Sequence, residues 1–193
     1  TVCVGFAEVT AGPFLGRLRD KMQQSPAGAE ILTERPDFKS WVDLQALSSL
    51  PSSSLGAQYA TFMTANHISP STRTDVRYVD DEELAYVMAR YRHLHDVFHV
   101  LLGFDQISVQ SEIALKVAEA QITGLPMNML AAAVGPLRLS WDERRLLLKE
   151  VVPWARQNAH VGLMTVYYER EMDTDISTLR DRLGVVPFVN NKT

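Results

Sequence analysis

The chain has 193 residues and only one cysteine, Cys3, which excludes an internal disulfide framework and any multi-cysteine zinc site. Long apolar runs are missing as well. The longest, Met127 to Val134, is interrupted by Asn128 and closed by Gly135-Pro136, short of the roughly 20 residues that a bilayer-spanning helix needs. Clustered basic residues are also lacking, and with 19 Lys and Arg against 23 Asp and Glu the net charge of -4 argues against a nucleic-acid partner. There is no Gly-rich phosphate loop, no G-x-S-x-G elbow and no Cys-His nucleophile pair. Alternating strand patterns and Asn-Gly or Asp-Gly hairpin turns are absent too.

What remains is helical periodicity almost throughout, which predicts an all-α, single-domain bundle over residues 1–193 with no internal repeat. Pro13 suits the first turn of a helix carrying Phe14, Leu15, Leu18 and Met22, and Ser25-Pro26 ends it and opens another. From Asp37 to Ser54 the composition predicts a long ordered loop with one helical turn near Leu44 and Leu47. Ser54 caps the next helix, which Ser69-Pro70-Ser71-Thr72 breaks. Asp80 with Glu83 opens a long amphipathic helix whose stripe of Leu84, Val87, Met88, Tyr91, Leu94 and Phe98 runs to Gly103. A helix follows from about Val109 to Thr123, then a short one over Met127 to Val134. Ser140 with Glu143 starts a helical stretch, kinked or broken at Pro153, that ends near Met172, and Ile176 to Leu183 forms the last helix.

One segment carries chemistry. His95-Asp96-Val97-Phe98-His99 places His95, His99 and Asp96 at roughly 0°, 40° and 100° around a helix axis. Two imidazoles with one or two carboxylates form a ligand set for a divalent first-row metal. Glu112 lies thirteen residues beyond His99, roughly 220° around an unbroken helix, so the helix must end between them for it to join. Gly103 is placed to be a left-handed C-terminal cap and Ser108 an N-cap, giving a helix hairpin that returns Glu112 toward the histidines. The plainer alternative pairs Glu112 with Lys116 one turn on, and His95 with Asp96. His67, His93 and His160 lack metal-like neighbours at ligand spacing, and Tyr167-Tyr168-Glu169-Arg170 is explained equally well by an amphipathic helix end. The Met127 to Val134 segment reads as core, or as a deformable wall for a long apolar ligand through Met127, Leu130, Ala131 and Val134.

These residues together resemble a known family. His95-Asp96-x-x-His99, Leu101-Leu102-Gly103, Glu112-Ile113, Lys116, Gln121-x-Thr123-Gly124-Leu125-Pro126-Met127 and Gly135-Pro136-x-Arg138-Leu139 are similar to the coenzyme Q biosynthesis protein 4 family. The likeness continues through Val79 to Val87, Pro153-Trp154-Ala155 and Tyr167 to Arg170, so it covers essentially the whole chain. The family spacing has eleven residues between the second histidine and the glutamate, whereas twelve stand between His99 and Glu112 here. The extra residue falls in the turn, where it can be absorbed.

The resemblance implies a peripheral protein on the matrix side of the mitochondrial inner membrane, working among the other enzymes that make ubiquinone; the missing initiator Met and leader fit loss of a transit peptide. It implies His95, Asp96, His99 and Glu112 as metal ligands and catalytic residues. The expected ion is Zn2+, with Fe2+ or Mg2+ as alternatives, and a homodimer is left open. The implied reaction is oxidative decarboxylation and hydroxylation at ring carbon 1 of a polyprenylated 4-hydroxybenzoate-derived precursor, a metal-dependent lyase chemistry on a prenylated quinone-type lipid. The alternative is a non-catalytic lipid-binding scaffold. A helical phosphohydrolase would also share an adjacent His-Asp pair, but its further ligands are not found.

Overall fold

The computed structural model describes residues 8–70 and 74–189. Among them are helices and no named strand, only an isolated bridge between Ser54 and Asp175. The sequence reading of an all-α domain therefore holds. Cys3 and the Ser71-Thr72 part of the expected helix break lie outside the described residues.

The centre of the bundle is a hairpin of two long helices, α6 (Glu82–Leu102) and α7 (Val109–Thr123). Asp81, one residue beyond the expected Asp80, caps α6 by accepting from the Leu84 amide, and every residue from Leu94 to Leu102 is buried. A helix so covered on all sides belongs to the core. It packs against α1 (Gly12–Gln23), α3 (Phe38–Trp41) and α5 (Leu55–Ala65), while α7 packs against α8 (Pro126–Val134) and α10 (Val152–Asn158). Ser25 and Ser54 cap α2 (Pro26–Glu34) and α5 through side-chain oxygens. The last helix, α11 (Ile176–Leu183), ends at Gly184 as its pattern predicts.

The hairpin turn is built from complementary caps. Gly103 takes φ 85°, the Phe104 amide donates to the His99 carbonyl at 2.8 Å, and Ser108 and Ser111 cap each other's amides at the start of α7. From α11, Arg180 donates to the carbonyls of Leu101 and Val100 at 2.9 and 2.8 Å. The Phe188 amide donates to Leu102. The end of α6 next to His99 is thus held by three donors from distant sequence. A Cβ at Gly103 would stand 2.8 Å from the Phe188 carbonyl oxygen, in addition to the left-handed backbone conformation. Gly103→Ala is expected to lower unfolding free energy by about 2–3 kcal/mol in urea titration, and a change below about 0.5 kcal/mol would contradict this reading of the turn.

Two expectations fail. Residues 37–54 carry two short helices, α3 and α4 (Leu44–Ser48), where a loop with one turn was expected; the Asp43 side chain caps α4 at the amides of Gln45 and Ala46. The stretch after Ser140 does not reach Met172. It runs through α9 (Trp141–Leu146), a π turn over Leu147–Val151 and α10, ending at Asn158, with 3-10 turns at Val161–Thr165 and Tyr168–Arg170 beyond. The distortion expected at Pro153 takes the form of the π turn just before it, after which the helix continues with Pro153 in the first turn of α10, where its missing N–H costs little. The Asn158 side chain donates to the Trp154 carbonyl and accepts from the Val186 amide at 2.7 Å, tying the chain down where the helix stops.

Candidate metal centre

On α6, His95 and His99 are one turn apart and buried, His99 completely. Their rings meet edge to face with centroids 5.0 Å apart, and His99 stacks on Phe62 of α5 at 5.1 Å. The antiparallel return of α7 brings Glu112 between them: one carboxylate oxygen lies 3.0 Å from His99 Nε2 and the other 3.6 Å from His95 Nε2. The plainer pairing of Glu112 with Lys116 is not what forms; Lys116 turns to Glu119 instead, at 2.5 Å. The additional turn residue leaves Glu112 in reach of both histidines.

Each imidazole has its other nitrogen engaged. His99 Nδ1 lies 3.0 Å from the Phe104 carbonyl, which can only accept, so Nδ1 carries a proton and Nε2, which faces the Glu112 carboxylate, is the nitrogen left to bind an ion. His95 Nδ1 lies 2.7 Å from Oε1 of Glu119, a carboxylate with no exposure. Both Nε2 atoms therefore face Glu112. Among the described residues, His95, His99 and Glu112 form a group whose ligand atoms all lie within 4.8 Å of one another. Zinc–nitrogen and zinc–carboxylate bonds of roughly 2.0–2.2 Å need ligand atoms about 3–4 Å apart, so the set fits an ion once its furthest members close by roughly 1–2 Å.

Asp96 does not share that geometry. It is buried but outside the group of three, and it lines a small pocket with Phe38, Lys39, Tyr59, Pro70 and His93. The 100° step that separates it from His95 carries it to another face of α6. Of the residues considered for an apolar ligand, Met127 and Ala131 are half-buried on α8, whereas Leu130 and Val134 are 49% and 50% exposed. Tyr167 to Arg170 engage partners other than the histidines: Tyr168 donates to the Leu163 carbonyl, Glu169 pairs with Arg90, and Tyr167 and Arg170 meet Glu34. His160 meets the Leu183 carbonyl and His93 approaches Asp37 at 3.7 Å, as the absence of metal-like spacing implied.

Charge is concentrated and compensated here. Burial works against the Glu112 carboxylate, yet hydrogen bonds from His95 and His99 hold it well below the usual carboxylate range. Burial likewise opposes a charge on His95, and Glu119 and Glu112 outweigh it, so its pKa is raised. Glu119, opposed by complete burial, is held low by Lys116 and His95. Glu112 is the partly exposed member, at 36% of its side chain, so the centre opens to solvent on its side.

Sequence reasoning missed Glu119. The signal was available in part, since Glu112, Lys116 and Glu119 fall at i, i+4 and i+7 and share one face of α7. Tyr91, His95 and His99 form the matching column on α6.

An all-helical domain whose central hairpin gathers two imidazoles and a carboxylate is a helical-bundle protein with a candidate divalent-ion centre. The chain belongs to the family described as coenzyme Q (ubiquinone) biosynthesis protein Coq4, which it matches over residues 1–188. It is 45% identical over 183 residues to the mitochondrial ubiquinone biosynthesis protein COQ4 homolog of Rattus norvegicus, covering 93% of this chain and 69% of that one. The Homo sapiens homolog is 45% identical over 181 residues, covering 92% and 68%. A crystal structure from Nostoc punctiforme shares the fold with a TM-score of 0.67 at 21% identity, covering 89% of this chain and 81% of that one.

Proposed function

We propose that the chain works in ubiquinone biosynthesis in the mitochondrion, as a divalent-ion-dependent enzyme acting on the ring carboxylate of a polyprenylated 4-hydroxybenzoate-derived precursor. In the net reaction the carboxylate at ring carbon 1 leaves as carbon dioxide and a hydroxyl takes its place. The two electrons released pass to an oxidant of the dioxygen class. The convergence of His95 Nε2, His99 Nε2 and the Glu112 carboxylate carries the reading. These three would hold the ion, which supplies Lewis acidity toward the ring carboxylate or phenolate. Asp96, expected from sequence to share that role, is left out of the ligand set by its position.

Two imidazoles with one carboxylate suit zinc, and suit iron(II) equally; magnesium, which takes oxygen ligands, is the poorest of the three matches. His99, shut away and stacked on Phe62, keeps its side of the centre dry, so the substrate ring must come in past Glu112. The isoprenoid tail is assigned to the outer face of α8, at the half-buried Met127 and Ala131 and the exposed Leu130 and Val134. Among the described residues no helix is long and apolar enough to cross a membrane. Contact with the inner membrane on its matrix side is accordingly proposed as peripheral, alongside other enzymes of the pathway.

The scaffold reading has its own support in Met129, Leu130 and Val134 on α8, Leu137 in the connection and Trp141 at the start of α9, all exposed large apolar side chains, with Trp141 84% exposed. One experiment separates the two. Protein purified without added metal should contain close to one equivalent of a single first-row ion by elemental analysis. Chelation should abolish ring decarboxylation of prenylated substrate, and that ion alone should restore it. Unchanged turnover after complete chelation would defeat the enzymatic reading.

A further inference from the structure

We propose that Glu119 is a positioning residue that fixes the tautomer and orientation of His95, so that His95 Nε2 is presented as a lone pair to the ion. This rests on the ion-binding reading above and extends it to a residue two helical turns from Glu112.

The two oxygens of Glu119 have different occupations. Oε2 accepts from Lys116 Nζ at 2.5 Å and from the Tyr91 hydroxyl at 2.8 Å, while Oε1 is 2.7 Å from His95 Nδ1. The carboxylate is thus clamped through one oxygen and offers the other to the imidazole. The clamp is itself braced. The Tyr91 hydroxyl also lies 2.8 Å from Asn128 Oδ1, and Asn128 Nδ2 donates to Thr123 Oγ1 at 3.1 Å. Thr123 Oγ1 in turn donates to the Glu119 carbonyl at 2.7 Å. Tyr91, Glu119, Thr123 and Asn128 are all buried, so none of these bonds is traded with water.

A carboxylate retained only as an ion-pair partner for Lys116 would be satisfied by Lys116 and Tyr91 alone. The geometry adds a short bond to His95, and a carboxylate can only accept it, which puts the proton on Nδ1. His99 receives the same service from a backbone carbonyl that no side-chain substitution removes. His95 has no such carbonyl partner, and its presentation depends on one replaceable side chain. Outer partners of this kind contribute about 10–100-fold to metal affinity.

The test compares two double variants that both remove the buried charge pair and differ only in the acceptor left for His95: Lys116→Met with Glu119→Gln, and Lys116→Met with Glu119→Leu. Exchange of a buried ion pair for uncharged residues of similar volume keeps such cores folded. Thermal unfolding confirms this for both proteins before binding is measured. Cobalt(II) is the probe, read by its visible spectrum and by competition with a chelator. The Gln pair is expected to bind cobalt within about fivefold of the wild type, and the Leu pair about 10–100-fold more weakly. With zinc bound, nitrogen chemical shifts should show His95 ligated through Nε2 with its proton on Nδ1 in the wild type and the Gln pair. The Leu pair should show a mixture of Nε2- and Nδ1-ligated rings, with His99 unchanged in all three. Equal cobalt affinity in the two double variants would overturn the assignment. A wild type that binds no cobalt, zinc or iron(II) would instead remove the ion-binding reading, and this assignment with it.

Discussion

Glu169→Ala will lower the unfolding free energy by about 3–5 kcal/mol, a drop of about 10 °C in Tm for a domain of this size. The reason lies on the side of α6 away from the histidines. Arg90 has a side chain with no exposure, and its two terminal nitrogens meet the Glu169 carboxylate oxygens at 3.0 and 3.3 Å. One of them also donates to the Val166 carbonyl at 2.9 Å, while Arg90 Nε is buried without a hydrogen-bond partner. The pair fastens the 3-10 segment to the central helix. Removing the carboxylate leaves a guanidinium that cannot lose its proton and cannot reach water. The double variant Arg90→Met with Glu169→Leu should recover most of the loss, because no uncompensated charge remains. Urea titrations of the three proteins measure this, and the single variant should keep its deficit at high salt, since a buried pair is little screened. A loss below about 1 kcal/mol in Glu169→Ala would show that water reaches Arg90 after all.

Sequence reached the hairpin because its signals are local. Gly103 must supply a left-handed residue, Ser108 must cap, Gly124 must stop α7, and the 3.6-residue stripe on α6 carries straight into the histidines. Glu112 could be placed because reversal of the chain was the only way to bring it back. Asp96 could not be judged so well. Adjacent positions on a helix differ by 100°, which is compatible with a shared face or with separate ones until the neighbouring helices are known, and α3 and α5 are what enclose it elsewhere. Glu119 was hidden for a related reason. Its chain neighbours Val117, Ala118 and Ala120 resemble core, and the groups that engage it, Tyr91 and His95, lie 28 and 24 residues upstream. The helix expected to reach Met172 ends at Asn158 because that side chain has a partner in Val186, 28 residues on, which no periodicity records.

Glu112→Gln will abolish ion binding and turnover while leaving the fold in place. The carboxamide fills the same volume as the carboxylate but offers one neutral oxygen where two charged ones stood, and the set of two imidazoles that remains is not enough to hold a first-row divalent ion against solvent. Affinity for zinc or cobalt should fall by at least about 100-fold, past the range typical of outer partners. If the ion contributes several kcal/mol of stabilisation to the charge that develops on the substrate, ring decarboxylation should fall by about a thousandfold or more. Stability should move by less than about 1 kcal/mol, because the side chain is 36% exposed and the amide oxygen can still accept from an imidazole. His99→Ala would be a poorer choice, since it also empties a fully buried site stacked against Phe62. The combination to look for is a Tm within a few degrees of the wild type, no bound ion and no product. A folded, ion-free Glu112→Gln protein that still forms product at the normal rate would remove the centre from catalysis, leaving Trp141 and its apolar neighbours as the functional surface to pursue.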